Sequence, residues 1–98
     1  MRRFVVVEDS MRPSLAPGDG LLALRGGRPR TGQLRVFPDP TTPSTWLIKR
    51  VGAVYGGAGT FEACSDSPRA AGVADSRHFG PVAAAGSYRV IRIFRTGR

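Results

Sequence analysis

The sequence predicts a mostly β fold: one small domain spanning 1–98, built as a curled antiparallel sheet or partial barrel. Three observations carry this. Gly (13) and Pro (8) make up more than a fifth of the 98 residues, and they fall between short apolar runs, the pattern of many turns linking strands. Those runs are short and rich in Val, Ile and Phe. No window sustains helical periodicity over three turns. A chain of this length suits one domain around a small core.

Taken in order, 4–7 (FVVV) reads as a strand that ends before a Pro-restricted turn containing Pro13, Pro17 and Gly18. Ser14 is placed to cap a single helical turn. Residues 21–24 form a second strand, entered by the turn Pro17-Gly18-Asp19-Gly20. Further strands are predicted at 33–37, 46–54, 60–64 and 88–94, with 65–77 irregular. Within 46–51, strand alternation puts Leu47, Lys49 and Val51 on one face and Trp46, Ile48 and Arg50 on the other. In the last strand Ile91 and Ile93 read as core.

The net charge of +8 comes from 15 Lys plus Arg, of which 14 are Arg. No basic run reaches five residues, and no aromatics are interleaved with basic side chains as single-strand binders require. The charge reads as a soluble surface, and no nucleic-acid partner is expected. A basic nucleic-acid-binding β domain is the alternative that charge alone suggests. The lone Cys64 excludes an internal disulfide, and there is no CxxC or Cys/His metal spacing. A single thiol suits a reducing compartment, so a cytoplasmic location is expected. No run approaches the ~20 apolar residues of a membrane span. The four apolar residues after Arg2 and Arg3 run into Glu8 and Asp9, unlike a signal peptide.

Lys49 is an odd lysine. It is the only one in the chain, and it projects from an apolar face. Either it snorkels to the surface, or it sits desolvated, where burial disfavours the ammonium and makes the amine available as a base. Arginine cannot be deprotonated and could not replace it in that role. A serine hydroxyl needs such a neighbour to become a nucleophile. Ser10, held between a strand and the turn Ser10-Met11-Arg12-Pro13, is the candidate partner.

The stretch 8–19, EDSMRPSLAPGD, resembles the nucleophile box of type I signal peptidases and their relatives: Ser-Met, then x-Pro-(Ser/Thr)-Leu, then Gly-Asp. Residues 47–51, LIKRV, resemble the family's lysine box. Residues 75–82, DSRHFGPV, resemble its later Asp-Ser-Arg box. The three occur in family order and cover most of the chain. The resemblance implies the fold of the signal peptidase catalytic core, with Ser10 as nucleophile and Lys49 as general base. It implies structural support near the dyad from Asp75, Ser76 and Arg77, with Met11 lining the substrate cleft or filling core. No metal or organic cofactor is implied. The implied substrate is a precursor protein with an extended, cleavable leader. With no anchor and only a short stretch between Lys49 and Asp75, the chain resembles compact unanchored relatives such as nickel-type superoxide dismutase maturation peptidases. A peripheral membrane site, or a membrane-anchored partner, is the variant reading.

Three positions depart from the pattern. Glu8 stands where the family has Gly or Ser two residues before the nucleophile. Ser65-Asp66-Ser67 stands in for Gly-Asp-Asn. Val73 occupies the place of a serine that steadies the lysine amine, leaving Ser67 or Ser76 as candidates for that role. Glu8 and Val73 motivate a second reading, a peptide-binding domain that kept the fold without turnover.

Overall fold

The computed structural model describes residues 1–69 and 74–97. Seven strands form one antiparallel sheet: β1 (Arg2–Val5), β2 (Gly20–Arg25), β3 (Leu34–Pro38), β4 (Trp46–Tyr55), β5 (Thr60–Cys64), β6 (Val82–Ala83) and β7 (Tyr88–Phe94). One short helix, α1 (Ser76–Phe79), precedes β6. The spatial order is β1-β2-β7-β3-β4-β5-β6. The last long strand thus inserts between β2 and β3, while β1 and β6 are the edges. This is the mostly β, curled and unclosed sheet expected from the turn-rich sequence. Among the described residues no helix is long and apolar enough to cross a membrane.

Alternation along β3 and β4 divides the core in two. Val36 and Ile48 join Val6, Met11, Leu15 and Leu21 in one cluster. Phe37, Leu47 and Val51 join Phe61, Ala63 and Val82 in the other. Phe4 and Trp46 each meet Tyr88 edge to face and meet one another tilted, with ring centroids 5.1–5.7 Å apart. Arg2 lays its guanidinium over Trp46 at 4.7 Å, a stacking that suits a planar cation.

Several elements differ from the sequence expectation, β1 among them, which runs Arg2–Val5 rather than 4–7. Residues 76–79 form α1 because Asp75, in extended conformation, caps it: its Oδ1 accepts from Arg77 N at 3.0 Å. A one-turn helix is too short to leave a periodic signal. The two-residue β6 is equally short. In β7 the alternation breaks. Leu22 pairs with Arg92 and the next residue, Ala23, pairs with Val90, so Ile91 is an extra, bulged residue. It is 46% exposed, while Val90 and Ile93 pack on the core.

Candidate active site

The segment between β1 and β2 carries Ser10 as a closed loop. Its neck is tied by Val6 N to Asp19 O (2.9 Å) and Gly18 N to Val6 O (2.7 Å). Gly18 takes φ +95° there, a conformation open to glycine. Asp19, buried, accepts from Ala16 N and from Thr96 N, each at 3.0 Å. These bonds explain the Gly-Asp that ends the first box: one residue supplies the turn, the other ties it to the chain end. Val6, Met11 and Leu15 anchor the loop in the first core cluster. The Arg12–Pro13 peptide bond is cis.

A second set of bonds holds the far side of the loop. Asp66 accepts from Arg50 Nε at 3.0 Å, from Arg50 Nη2 at 2.9 Å and from Ser14 Oγ at 2.6 Å. Ser67 N donates to Ser10 O at 2.7 Å, and Ser67 Oγ donates to Arg12 O. Hydrogen bonding to Arg50, above all, holds the Asp66 carboxyl below the usual carboxylate range; the hydroxyl of Ser14 adds to it.

Lys49 comes from the middle of β4, on the face it shares with Leu47 and Val51. It is 0% exposed, so the snorkelling alternative is excluded. Its Nζ lies 2.7 Å from Ser10 Oγ, to which it donates. Ser10 is itself buried. Desolvation pushes the amine below its ordinary 10.5; Glu8, Asp75 and Asp39 pull the other way without cancelling it. Glu8 Oε1 stands 3.6 Å from Nζ, beyond hydrogen-bond length and within ion-pair range. That oxygen is buried and, among the described residues, has no hydrogen-bond partner. The Ser10 N–H also makes no hydrogen bond among the described residues. It is an unused donor beside the hydroxyl.

Asp75, Ser76 and Arg77 lie at the start of α1, beside β5. Asp75 is buried. Besides capping α1 it accepts from Arg77 Nε at 3.2 Å and from Ser65 N at 3.3 Å. Burial raises its carboxyl, but the bonds from Arg77 and Ser65 outweigh that and leave it lowered. Ser76 Oγ accepts from Ala63 N at 2.7 Å, fastening α1 to β5. Arg77 Nη2 also donates to Pro68 O at 3.0 Å. Asp75 acts on Lys49 electrostatically; Ser76 and Arg77 act on the frame around it.

Met11 is corrected as a cleft residue. It is fully buried among Val6, Leu15, Leu21, Val36 and Ile48, and serves as the apolar anchor beneath the loop that carries Ser10. Ser67 and Ser76, the candidates to steady the amine, are corrected too: among the described residues neither bonds Lys49 Nζ, Ser67 Oγ donating to Arg12 O and Ser76 Oγ accepting from Ala63 N. Val73 lies outside the described residues. Cys64 donates to Glu62 Oε1 at 3.4 Å, and burial, then Glu62, pushes its thiol up to about 11. That is the opposite of an activated nucleophile. His78 is exposed in α1, its Nδ1 accepting from Asp75 N at 3.4 Å.

Four participants were not signalled as such by the sequence: Arg50 and Asp66 as the loop clamp, Glu8 as the amine's neighbour, and Arg35. Arg35 pairs with Lys49 across β3 and β4, yet it is fully buried. Its guanidinium is held by Ser87 Oγ (2.9 Å), Gln33 Oε1 (2.8 Å) and Gly26 O (2.7 Å). A buried arginine is rare enough that alternation alone would not single it out.

No protein-family model, curated protein or solved structure matches the chain.

Proposed function

We propose that this chain is a serine endopeptidase that removes a leader or propeptide from a precursor protein through a Ser10/Lys49 dyad. The observation that carries the reading is the fully buried Lys49 amine 2.7 Å from the Ser10 hydroxyl. A desolvated lysine is uncharged more readily than a solvated one, and a neutral amine at that distance can take the hydroxyl proton. The resemblance of 8–19, 47–51 and 75–82 to the signal peptidase boxes supports the same reaction.

The mechanism follows from the groups at hand. An extended leader lies beside a strand edge, its backbone bonded as an added strand. Ser10 Oγ attacks the scissile carbonyl as its proton passes to Lys49 Nζ. The unused Ser10 N–H donates to the developing oxyanion. The Lys49 ammonium then protonates the departing amine, leaving an acyl-enzyme. The neutral amine next takes a proton from water, whose oxygen attacks the ester carbon; the resulting ammonium returns that proton to Ser10 Oγ as the C–Oγ bond breaks and the acid product leaves. The lone unactivated thiol agrees with a reducing, cytoplasmic setting.

The test is cleavage of candidate precursors by purified protein, read by mass spectrometry, with Ser10→Ala and Lys49→Ala alongside. Each substitution is expected to reduce cleavage by at least about 10²–10⁴-fold. Cleavage that survives both would refute the dyad. A precursor bound but left intact by the unaltered protein would favour the peptide-binding domain instead.

A further inference from the structure

Three carboxylates act on the Lys49 amine: Glu8 on the nucleophile loop, Asp75 before α1 and Asp39 just after β3. Two are already committed. Asp75 is taken up by Arg77 and Ser65. Asp39 Oδ1 accepts from Thr41 N and Thr41 Oγ1, each at 2.8 Å. Across the strands Lys49 is in register with a cation, Arg35, whose guanidinium is held by Ser87, Gln33 and Gly26. Glu8 differs from the other carboxylates. Its Oε1 is buried without a hydrogen bond among the described residues and stands 3.6 Å from Nζ. A buried carboxylate oxygen with no donor is costly unless a charge compensates it. Lys49 is the cation within reach.

We propose that Glu8 is the positioning residue of the dyad: its carboxylate steadies the Lys49 amine against Ser10 and stabilises the ammonium formed when the amine takes the Ser10 proton. This rests on the peptidase reading above. During attack the Ser10 O–H bond breaks, the proton moves to Nζ and the new O–C bond forms. Positive charge therefore appears on Nζ in the transition state, where Glu8 already stands. The side chain is oriented as an acid partner orients a base in other dyads with a third member. It also replaces the hydroxyl that Ser67 and Ser76 do not supply. Glu8 has an opposing effect as well, because its negative charge favours the ammonium before reaction and so reduces the fraction of free base at neutral pH.

The single lysine makes the test direct. Protein labelled with ¹³C,¹⁵N-lysine gives one side-chain signal, whose titration is followed by NMR in the unaltered chain, Glu8→Gln and Glu8→Ala. Cleavage of a precursor is measured in parallel against pH. Both variants are expected to move the Lys49 midpoint down by roughly one pH unit. The pH–rate midpoint should move with it, and the high-pH plateau should drop at least about tenfold. A loss of packing alone would lower the plateau and leave the midpoint in place. An unmoved Lys49 midpoint in both variants, or a plateau that rises, would overturn the proposal. Absence of cleavage by the unaltered chain would refute the peptidase reading and the catalytic half of this proposal, while the NMR midpoint still decides whether Glu8 holds the amine.

Discussion

Replacing Lys49 with Met tests whether the amine is uncharged inside the fold without requiring any substrate. Met keeps an unbranched chain of similar length in the apolar site beside Leu47 and Val51 and removes the titrating nitrogen. In the unfolded chain the amine titrates near 10.5; in the fold it titrates lower, because burial disfavours the ammonium. Between those two values the unfolded state binds the extra proton, so stability rises with pH. One full proton of difference corresponds to about 1.4 kcal/mol per pH unit across the interval between the folded and unfolded values. Cys64 works in the opposite sense. Its thiol moves from 9.0 up to about 11 in the fold, so its contribution is lost as pH rises through that range. Comparison with Lys49→Met separates the two, because the thiol is common to both proteins.

The assay is urea unfolding at several pH values in that interval, for the unaltered chain and Lys49→Met. The unaltered protein should gain stability with pH, and the variant should lose most of that slope. The variant leaves the buried Glu8 oxygen beside an apolar side chain, with no amine to compensate it, which costs stability. The double variant Lys49→Met/Glu8→Gln removes both charges and should be the more stable of the two. Equal slopes in the unaltered chain and Lys49→Met would refute the reasoning, because the amine would then carry its charge in both states.

Two further outcomes follow from the frame around the dyad. Asp75→Ala removes the cap of α1 and the acceptor for Arg77 and Ser65, and should cost about 1–2 kcal/mol in urea unfolding. The Asp75 carboxyl is lowered in the fold, so its contribution is present above 3.8 and lost as pH falls through the folded value; the variant should lack that acid step. Asp66→Ala opens the clamp to Arg50 and Ser14. It should cost about 1–3 kcal/mol and reduce cleavage through a looser Ser10 loop, whereas Ser14→Ala, which spares the Arg50 pair, should have the smaller effect on both measurements.

Much of the fold was legible because alternation and turn residues are local signals. The strand at 60–64 and the one at 88–94 coincide with β5 and β7, and the face assigned to Lys49 agrees with its burial. Legibility stopped where a long-range pairing decided. The extra residue in β7 is fixed by its neighbour β2, so Ile91 reads as core in the sequence and lies exposed in the sheet. The α1 turn is defined by one capping carboxylate rather than by periodicity. At the site, residue type and setting offered Ser10 and Lys49 as candidates, and the resemblance of 8–19 and 47–51 to the signal peptidase boxes singled out the pair that the fold brings within 2.7 Å. The bonds of Asp66 to Arg50 and Ser14, which span 16 and 52 residues, leave no local mark. Met11 has a chemistry that suits either a cleft or a core, and only packing could choose between them.

Lys49 and Arg50 are neighbours in sequence with opposite duties, one reaching the hydroxyl and the other latching the segment that carries it. Because they leave β4 on opposite sides, a slip of that strand by one position would exchange them. The guanidinium would then turn toward the serine and the amine toward Asp66, leaving neither duty performed. Correct pairing of the sheet and assembly of the Ser10–Lys49 contact are thus a single event, so a misregistered chain would lack that contact even if it were compact.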